Sequence, residues 1–259
     1  MEVKVLKKIE KAHLKLQIKS FFADSKKISG ATLFWSDTIK DSYENYASLI
    51  NAKQPEELIK EVVEFYKSKN RKPAFYLTPW TKPKNFETIL QSHGFKLAYK
   101  DAWQVYTGKR DISLPADLDF KEVKTRKDMD IFVETFNKAY SGVPGDPYGA
   151  LPKEYGEAFY LTLGKKLRRN YILYSNGMPV ATGSLMIFKD CAGIYGIGTD
   201  PNFRKKGFGA AMVNFCVKKA LEDKYKYIFL QTEKGSTVEK FYNKLGFETA
   251  FTGICWALE

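Results

Sequence analysis

At 259 residues, 44% apolar and 15% aromatic, the chain is long enough to bury the cores of two compact domains. No uninterrupted apolar run approaches the ~18 to 20 residues of a membrane span, and Met1 to Lys8 lacks the apolar core of a signal peptide, so a cytoplasmic protein with no membrane partner is expected. The net charge is +12, from 42 basic and 30 acidic residues.

In chain order, Lys4, Lys7, Lys8, Lys11, Lys15 and Lys19 alternate with Val5, Leu6, Ile9, Leu14, Leu16 and Ile18 as an amphipathic helix with a solvated lysine face would. A helix is predicted from Leu58 to Lys69 and a buried strand from Ala74 to Thr78. The turn before that helix, Asn51 to Glu57, has no glycine and sets Pro55, Glu56 and Glu57 at the helix N-terminus, where carboxylates complement the dipole and repel anions. Gly108 to Pro115 reads as a hinge. Asp119 to Val123 is a predicted strand, and Thr125 caps a helix with Met129, Ile131, Phe132, Phe136 and Ala139 on its apolar face. Ser141 to Pro152, with three prolines and three glycines, is a loop, followed by Tyr155, Phe159 and Tyr160. Tyr171 to Tyr174, the turn Ser175 to Pro179, and Val180 to Phe188 form a hairpin.

The next stretch, Ile194-Tyr-Gly-Ile-Gly-Thr199 leading to Arg204-Lys-Lys-Gly-Phe-Gly209, places strand, glycine turn, basic residues and helix start in one order. Gly196 and Gly198 interrupt a β-prone run and mark a bulge or a close approach. Gly207 and Gly209 let the backbone near an anion, and the amides of residues 205 to 210 sit at a helix N-terminus that favours negative charge. Arg204, Lys205 and Lys206 surround that cradle with positive charge. The helix from Gly209 to Asp223 presents Met212, Val213, Phe215, Cys216, Val217, Ala220 and Leu221 to a core. Tyr227 to Thr232 follows as a buried strand and Ser236 to Leu245 as a short helix, which Gly246 ends in the left-handed conformation. Cys191, Cys216 and Cys255 lie far apart in apolar stretches, which points to reduced thiols rather than a disulfide or zinc site. The two histidines, His13 and His93, fall outside the half that carries the cradle, so neither a histidine triad nor a metal is expected.

Positions 204 to 209 resemble motif A of the GNAT N-acyltransferase superfamily, whose pattern is Arg or Gln, two variable residues, Gly, a variable residue, then Gly or Ala. Phe241-Tyr-Asn-Lys-Leu-Gly-Phe247 is similar to that family's later signature. The resemblance implies an α/β fold with a mixed sheet, acetyl-CoA as acyl donor, and a cofactor site made of Ile197, Gly198, Thr199, Arg204, Lys205, Lys206, Gly207, Phe208, Gly209, Ala210 and Ser236. It also implies that Tyr242 is the general acid for the departing thiolate, a modest demand because a thiol near pKa ~8.5 is a fair leaving group and a phenol near ~10 can protonate it. The amide of Ile197 would then meet the thioester carbonyl, and the backbone at Thr199 would pair with the pantetheine arm.

Two positions depart from the family. Gly235 stands where many members carry an asparagine, with Ser236 as its replacement in capping and binding. Some members place a glutamate base on the strand before motif A, yet Cys191 to Thr199 contains no carboxylate. The candidates for that role are Glu233, and water relayed by Tyr195 or by a backbone carbonyl. Asp146, Glu154 and Glu157 are candidates to neutralise an acceptor ammonium, or else solvated loop charges.

Glu57 to Tyr106 repeats the plan of the last fifty residues at an offset of about 153. His93-Gly-Phe-Lys-Leu-Ala-Tyr99 matches Leu245-Gly-Phe-Glu-Thr-Ala-Phe251, and Trp103 falls near Trp256. Two tandem GNAT copies are therefore expected: a degenerate domain without the cofactor loop over 1–112, and a catalytic domain over 113–259. The expected function is transfer of an acetyl group to the amine of a small molecule or peptide by direct attack in a ternary complex. The alternatives are a nucleic-acid or protein-binding module on a GNAT fold, or a Fem-like aminoacyl transferase. The basic surplus, 8 in residues 1–114 and 4 in 115–259, is assigned to solvated lysine faces before a nucleic-acid partner.

Overall fold

A computed structural model describes residues 1–18, 21–108, 112, 114, 115, 117–142, 151 and 153–259. The chain groups into two compact units that draw on interleaved stretches: one holds 1–16, 104–230 and 240–248, the other 17–103, 231–239 and 249–259. The halves 1–112 and 113–259 read from the repeat are thus a division along the sequence, whereas the compact units take the N-terminal helix into the later half and the last strand into the earlier one.

The first unit contains α1 (Val3–Gln17) up to Leu16, α4 (Arg126–Ala139), α5 (Lys153–Ala158), α6 (Phe208–Glu222) and the part of α7 (Thr237–Lys244) from Lys240 on, the last two helices following the glycine turn as expected. Its strands are β6 (Asp119–Glu122), β7 (Arg168–Ser175), β8 (Met178–Phe188), β9 (Cys191–Thr199) and the start of β10 (Tyr227–Glu233), in the spatial order β10-β9-β8-β7-β6. All pair antiparallel except β9 with β10, the parallel pair that the crossover through α6 requires. The helices cover both faces. A side chain at Gly183 of β8 would meet Met212 of α6 at 2.6 Å, and one at Gly198 of β9 would meet Ala139 of α4 at 2.7 Å.

Local chemistry fixes these elements. Thr125 and Asp128 form a reciprocal capping box at the start of α4, the Thr125 hydroxyl accepting the Asp128 amide at 3.1 Å and the carboxylate accepting the Thr125 amide at 3.1 Å. Lys121 pairs with Asp128 at 2.7 Å, which with these bonds holds its carboxyl well below the usual range. In α6 the expected apolar residues Met212, Val213, Phe215, Cys216, Val217 and Ala220 are buried, but Leu221 is 47% exposed because it lies at the edge of the stripe.

The second unit orders its strands β1-β2-β3-β4-β11-β5, with β1 (Asp24–Ile28), β2 (Ala31–Trp35), β3 (Tyr46–Ser48), β4 (Ala74–Leu77), β5 (Lys96–Tyr106) and β11 (Phe247–Ala257). Leu58, Val62 and Tyr66 of α2 (Pro55–Ser68) and Phe86 and Leu90 of α3 (Phe86–Ser92) pack with Leu33, Phe75 and Trp256 into one core. At the start of α2, Pro55, Glu56 and Glu57 occupy the first turn. Among the described residues no helix is long and apolar enough to cross a membrane.

Candidate active site

The site is built where β9 leaves its neighbours. Its pairing with β10 covers only Cys191, Ala192 and Gly193, opposite Tyr227, Ile228 and Phe229; past Gly193–Phe229 the two strands no longer pair. On its other edge β9 stays with β8 but carries a bulge, since Tyr195 and Gly198 pair with Ser184 and Thr182, which leaves Gly196 and Ile197 opposite Gly183. Gly196 has φ of +59°, a conformation that disfavours a side chain. Two hydroxyls brace the bulge: Thr182 donates to the Gly196 carbonyl at 2.9 Å and Tyr140 to the Ile197 carbonyl at 2.7 Å.

After Thr199, a short 3₁₀ turn (Pro201–Phe203) is capped by Asp200, whose carboxylate accepts the Asn202 amide at 2.9 Å. Lys205 (φ +62°) and Gly207 (φ +84°) then turn the chain through the left-handed region into α6. Gly207 is the N-cap without a side-chain hydrogen bond, and the first intrahelical bond runs from the Ala211 amide to the Gly207 carbonyl at 2.9 Å. The amides of Phe208, Gly209 and Ala210 therefore precede the helical ladder, at the positive end of the dipole. A side chain at Gly207 would stand in open space, so this glycine is required by its dihedral angle, whereas one at Gly209 would stand 3.1 Å from the Thr199 hydroxyl and serves close packing of helix on strand.

The basic residues divide. Lys205 and Lys206 are exposed, with the Lys206 ammonium 5.4 Å from the centre of the Phe203 ring. Arg204, expected to add positive charge beside the turn, donates to backbone carbonyls, Nη2 to Ala139 at 2.7 Å and Nε to Thr199 at 3.3 Å. It ties the ends of α4 and β9 beside the cradle.

Tyr242 lies on α7, buried at 8% exposure, with edge-to-face contacts to Phe241 and Phe247. Ser236 caps α7: its hydroxyl accepts the Glu239 amide at 3.1 Å and donates to the Glu233 carbonyl at 2.7 Å, while Glu239 accepts the Gly235 amide at 2.6 Å. Glu154, Glu157 and Glu233 are exposed, and Asp146 lies outside the described residues.

The polar partners that sequence reasoning missed are Tyr140, Thr182 and His13. His13, set aside as remote from the cradle, has its Nδ1 2.6 Å from the Tyr195 hydroxyl on β9. Burial and the nearby Arg168 charge lower its pKa to about 3. No spacing links positions 182 residues apart in sequence. Among the described residues, no group of three or more His, Cys, Asp or Glu side chains is placed to hold a metal ion.

Residues 130–247 match the family model described as the Acetyltransferase (GNAT) family. An uncharacterized N-acetyltransferase of Methanocaldococcus jannaschii is 29% identical over 138 residues, 48% of this chain; the match spans 58% of that relative's length. The fold is similar to that of a GCN5-related N-acetyltransferase from Kribbella flavida, with a TM-score of 0.71 and 17% identity over 96% of this chain and 94% of that one. It is also similar to a tandem GNAT protein from the clavulanic acid biosynthesis pathway, with a TM-score of 0.61 and 14% identity over 90% and 79% of the two chains. Residues 130–247 thus match the GNAT acetyltransferase family, and the fold is similar to that of GNAT proteins, a tandem one among them.

Proposed function

We propose that this protein transfers the acetyl group of acetyl-CoA to the amine nitrogen of a small molecule or peptide, by direct attack in a ternary complex. The observation that supports this best is the continuity between the unpaired edge of β9 beyond Gly193–Phe229 and the uncapped start of α6. The open space at Gly207 and the absence of a capping side chain fit a pyrophosphate there. In this reading the amides of Phe208, Gly209 and Ala210 hold the anion, with Lys205 and Lys206 adding charge. Arg204 braces the loop through the carbonyls of Thr199 and Ala139.

Bound acetyl-CoA supplies an activated thioester. The free edge of Ile197, Gly198 and Thr199 pairs with the pantetheine arm as an added strand would, and the Ile197 amide donates to the carbonyl oxygen that gains charge during attack. The amine nitrogen forms the new C–N bond as the C–S bond breaks, and the Tyr242 hydroxyl gives its proton to the leaving sulfur. Ser236 sets the start of the helix that carries Tyr242.

The experiment is a panel of amines, aminoglycosides, amino acids and lysine peptides incubated with acetyl-CoA and the full chain, with thiol release and acetylated product both measured. Acetylated product from at least one amine supports the reading. Acetyl-CoA binding with no product across the panel, together with salt-sensitive RNA binding, supports a binding module instead.

A further inference from the structure

We propose that the basic stripe of α1 and the turn between β8 and β9 form a binding site for an oligophosphate anion, a chain of two or more phosphoryl groups, at the end of β9 opposite the turn into α6. This goes beyond the acetyl-transfer reading and does not depend on it.

The geometry is a cavity of about 290 Å³ within the first unit. One wall is a single stripe of α1: Lys4, Lys7, Lys8 and Lys11, at the three- and four-residue spacings that share a helix face, span about 10 Å of its axis. The other wall is the turn from β8 to β9, with Phe188 and Lys189. Ala12 and Cys191 complete the lining and are buried, so its base is apolar. Cys191 opens β9 and Thr199 ends it, which sets the cavity roughly 25 Å along the strand from the turn into α6.

The stripe reads from the sequence as a solvated lysine face, yet the structure gives it little negative charge of its own. Lys8 pairs with Asp190 of the turn. Among the described residues, Lys4, Lys7, Lys11 and Lys189 have no carboxylate at ion-pair distance. The first turn of α1 has no acid, and Glu10 is buried at 1% exposure. Other helices of the same unit balance their basic residues locally, Glu134 with Lys138 and Asp130 with Arg126 on α4, Glu222 with Lys219 on α6.

On α1 the pairs Lys4–Lys7, Lys4–Lys8, Lys7–Lys11 and Lys8–Lys11 instead set like charges three or four residues apart, which opposes the helix, and Lys4 stands at the positive end of the dipole. Lys189 adds its charge from a left-handed backbone, φ +56°, where glycine or asparagine is the easier residue. Five ammoniums around one cavity with an apolar base attract an anion more strongly than the same charges spread over a surface.

The arrangement also selects the class of anion. A lone phosphate brings at most about two negative charges to one point. A di- or triphosphate lays several along the stripe and meets lysine ammoniums, which act as point charges with three donors each. Readers of single-stranded nucleic acid add rings on which bases stack. Here the lining ring, Phe188, is half-buried and has the Lys189 ammonium 5.7 Å from its centre, which favours phosphate contact over base stacking.

The test titrates inorganic tripolyphosphate into the full chain by calorimetry, comparing wild type with Lys7→Glu, Lys189→Asn, Lys165→Glu and Gly207→Asp. Two of these variants suit their backbones: Lys7→Glu gains a favourable pair with Lys11, and asparagine tolerates the dihedral angle at 189. Wild type should bind with a Kd of about 100 μM or tighter in about 50 mM salt and several-fold more weakly in about 200 mM. Lys7→Glu should weaken binding at least about tenfold and Lys189→Asn about three- to tenfold, with both proteins melting no lower than wild type. Lys165→Glu changes the net charge as Lys7→Glu does but lies outside the cavity lining, and it should stay within about twofold, as should Gly207→Asp at the start of α6. A nucleoside triphosphate that binds as tightly as tripolyphosphate identifies a nucleotide as the source of the phosphates, and one much weaker identifies an inorganic chain. Absence of binding in the wild type overturns the proposal, as does an equal loss in Lys7→Glu and Lys165→Glu. Loss in Gly207→Asp with Lys7→Glu unaffected moves the anion to α6 and also overturns it. Single-stranded RNA that binds far more tightly than tripolyphosphate and depends on Lys7 makes this a nucleic-acid surface and overturns the oligophosphate assignment.

Discussion

The Tyr140 hydroxyl donates to the Ile197 carbonyl at 2.7 Å, so the residue that ends α4 grips the peptide at the bulge of β9. Thr182 grips the neighbouring carbonyl of Gly196 at 2.9 Å from β8. The irregular segment is held from two elements, as a preorganised hydrogen-bond donor requires.

Tyr140→Phe removes one of these grips. It should cost about 1 kcal/mol of stability, the typical net value of a hydrogen bond, and weaken acetyl-CoA binding several-fold. Thermal unfolding and titration calorimetry check both; unchanged affinity would mean that the bulge is set by Gly196 and Thr182 alone.

At Gly207, with φ of +84° and open space around it, an aspartate folds with modest strain but places a carboxylate at the pyrophosphate position proposed above. Gly207→Asp should abolish most of the melting-temperature rise that acetyl-CoA produces, while Gly207→Asn, similar in shape and uncharged, should retain much of it. Equal shifts in both variants would move the cofactor elsewhere.

Tyr242→Phe should leave acetyl-CoA affinity intact and lower kcat by roughly ten- to a thousandfold, the range for losing general acid help to a fair leaving group. Full turnover would assign protonation of the thiolate to water. Thiol release reports this cleanly because Cys191, Cys216 and Cys255 are buried and burial pushes their thiols up to about 12.

Two buried groups bias stability in opposite pH directions. His13 is lowered from 6.5 to about 3, chiefly by burial, so the unfolded chain binds its proton first and the native state loses stability as pH falls from 6.5 toward 3. Asp101, which accepts a hydrogen bond from Tyr76 at 2.9 Å, is raised from 3.8 to about 7 by burial. There the native state keeps the proton that the unfolded chain has lost, and stability falls as pH rises from about 4 to 7. Asp101→Asn should therefore gain stability over wild type between pH 4 and 7.5, and His13→Gln should flatten the acid side. Denaturant midpoints across pH measure both.

The turn into α6 was legible because its information is local: a glycine at 207, basic residues before it and an amphipathic helix after it sit within one turn-helix unit. The bulge at Gly196 was legible for the same reason, as a residue without Cβ inside a β-prone run. Arg204 shows the limit, since its motif position is plain but its partners, the carbonyls of Ala139 and Thr199, depend on where α4 ends. His13 and Tyr195 meet only because α1 packs with the later half, and β11 pairs with β4 across most of the chain. Such pairings are set by tertiary packing, which periodicity along the sequence does not encode.

Among the described residues, α6 starts from the glycine turn at Gly207, whereas α2 carries Pro55, Glu56 and Glu57 in its first turn. Titration calorimetry of acetyl-CoA into the full chain is the most direct test of the account. It predicts one site per chain, lost in Gly207→Asp; no binding, two sites, or one site indifferent to that substitution would contradict it.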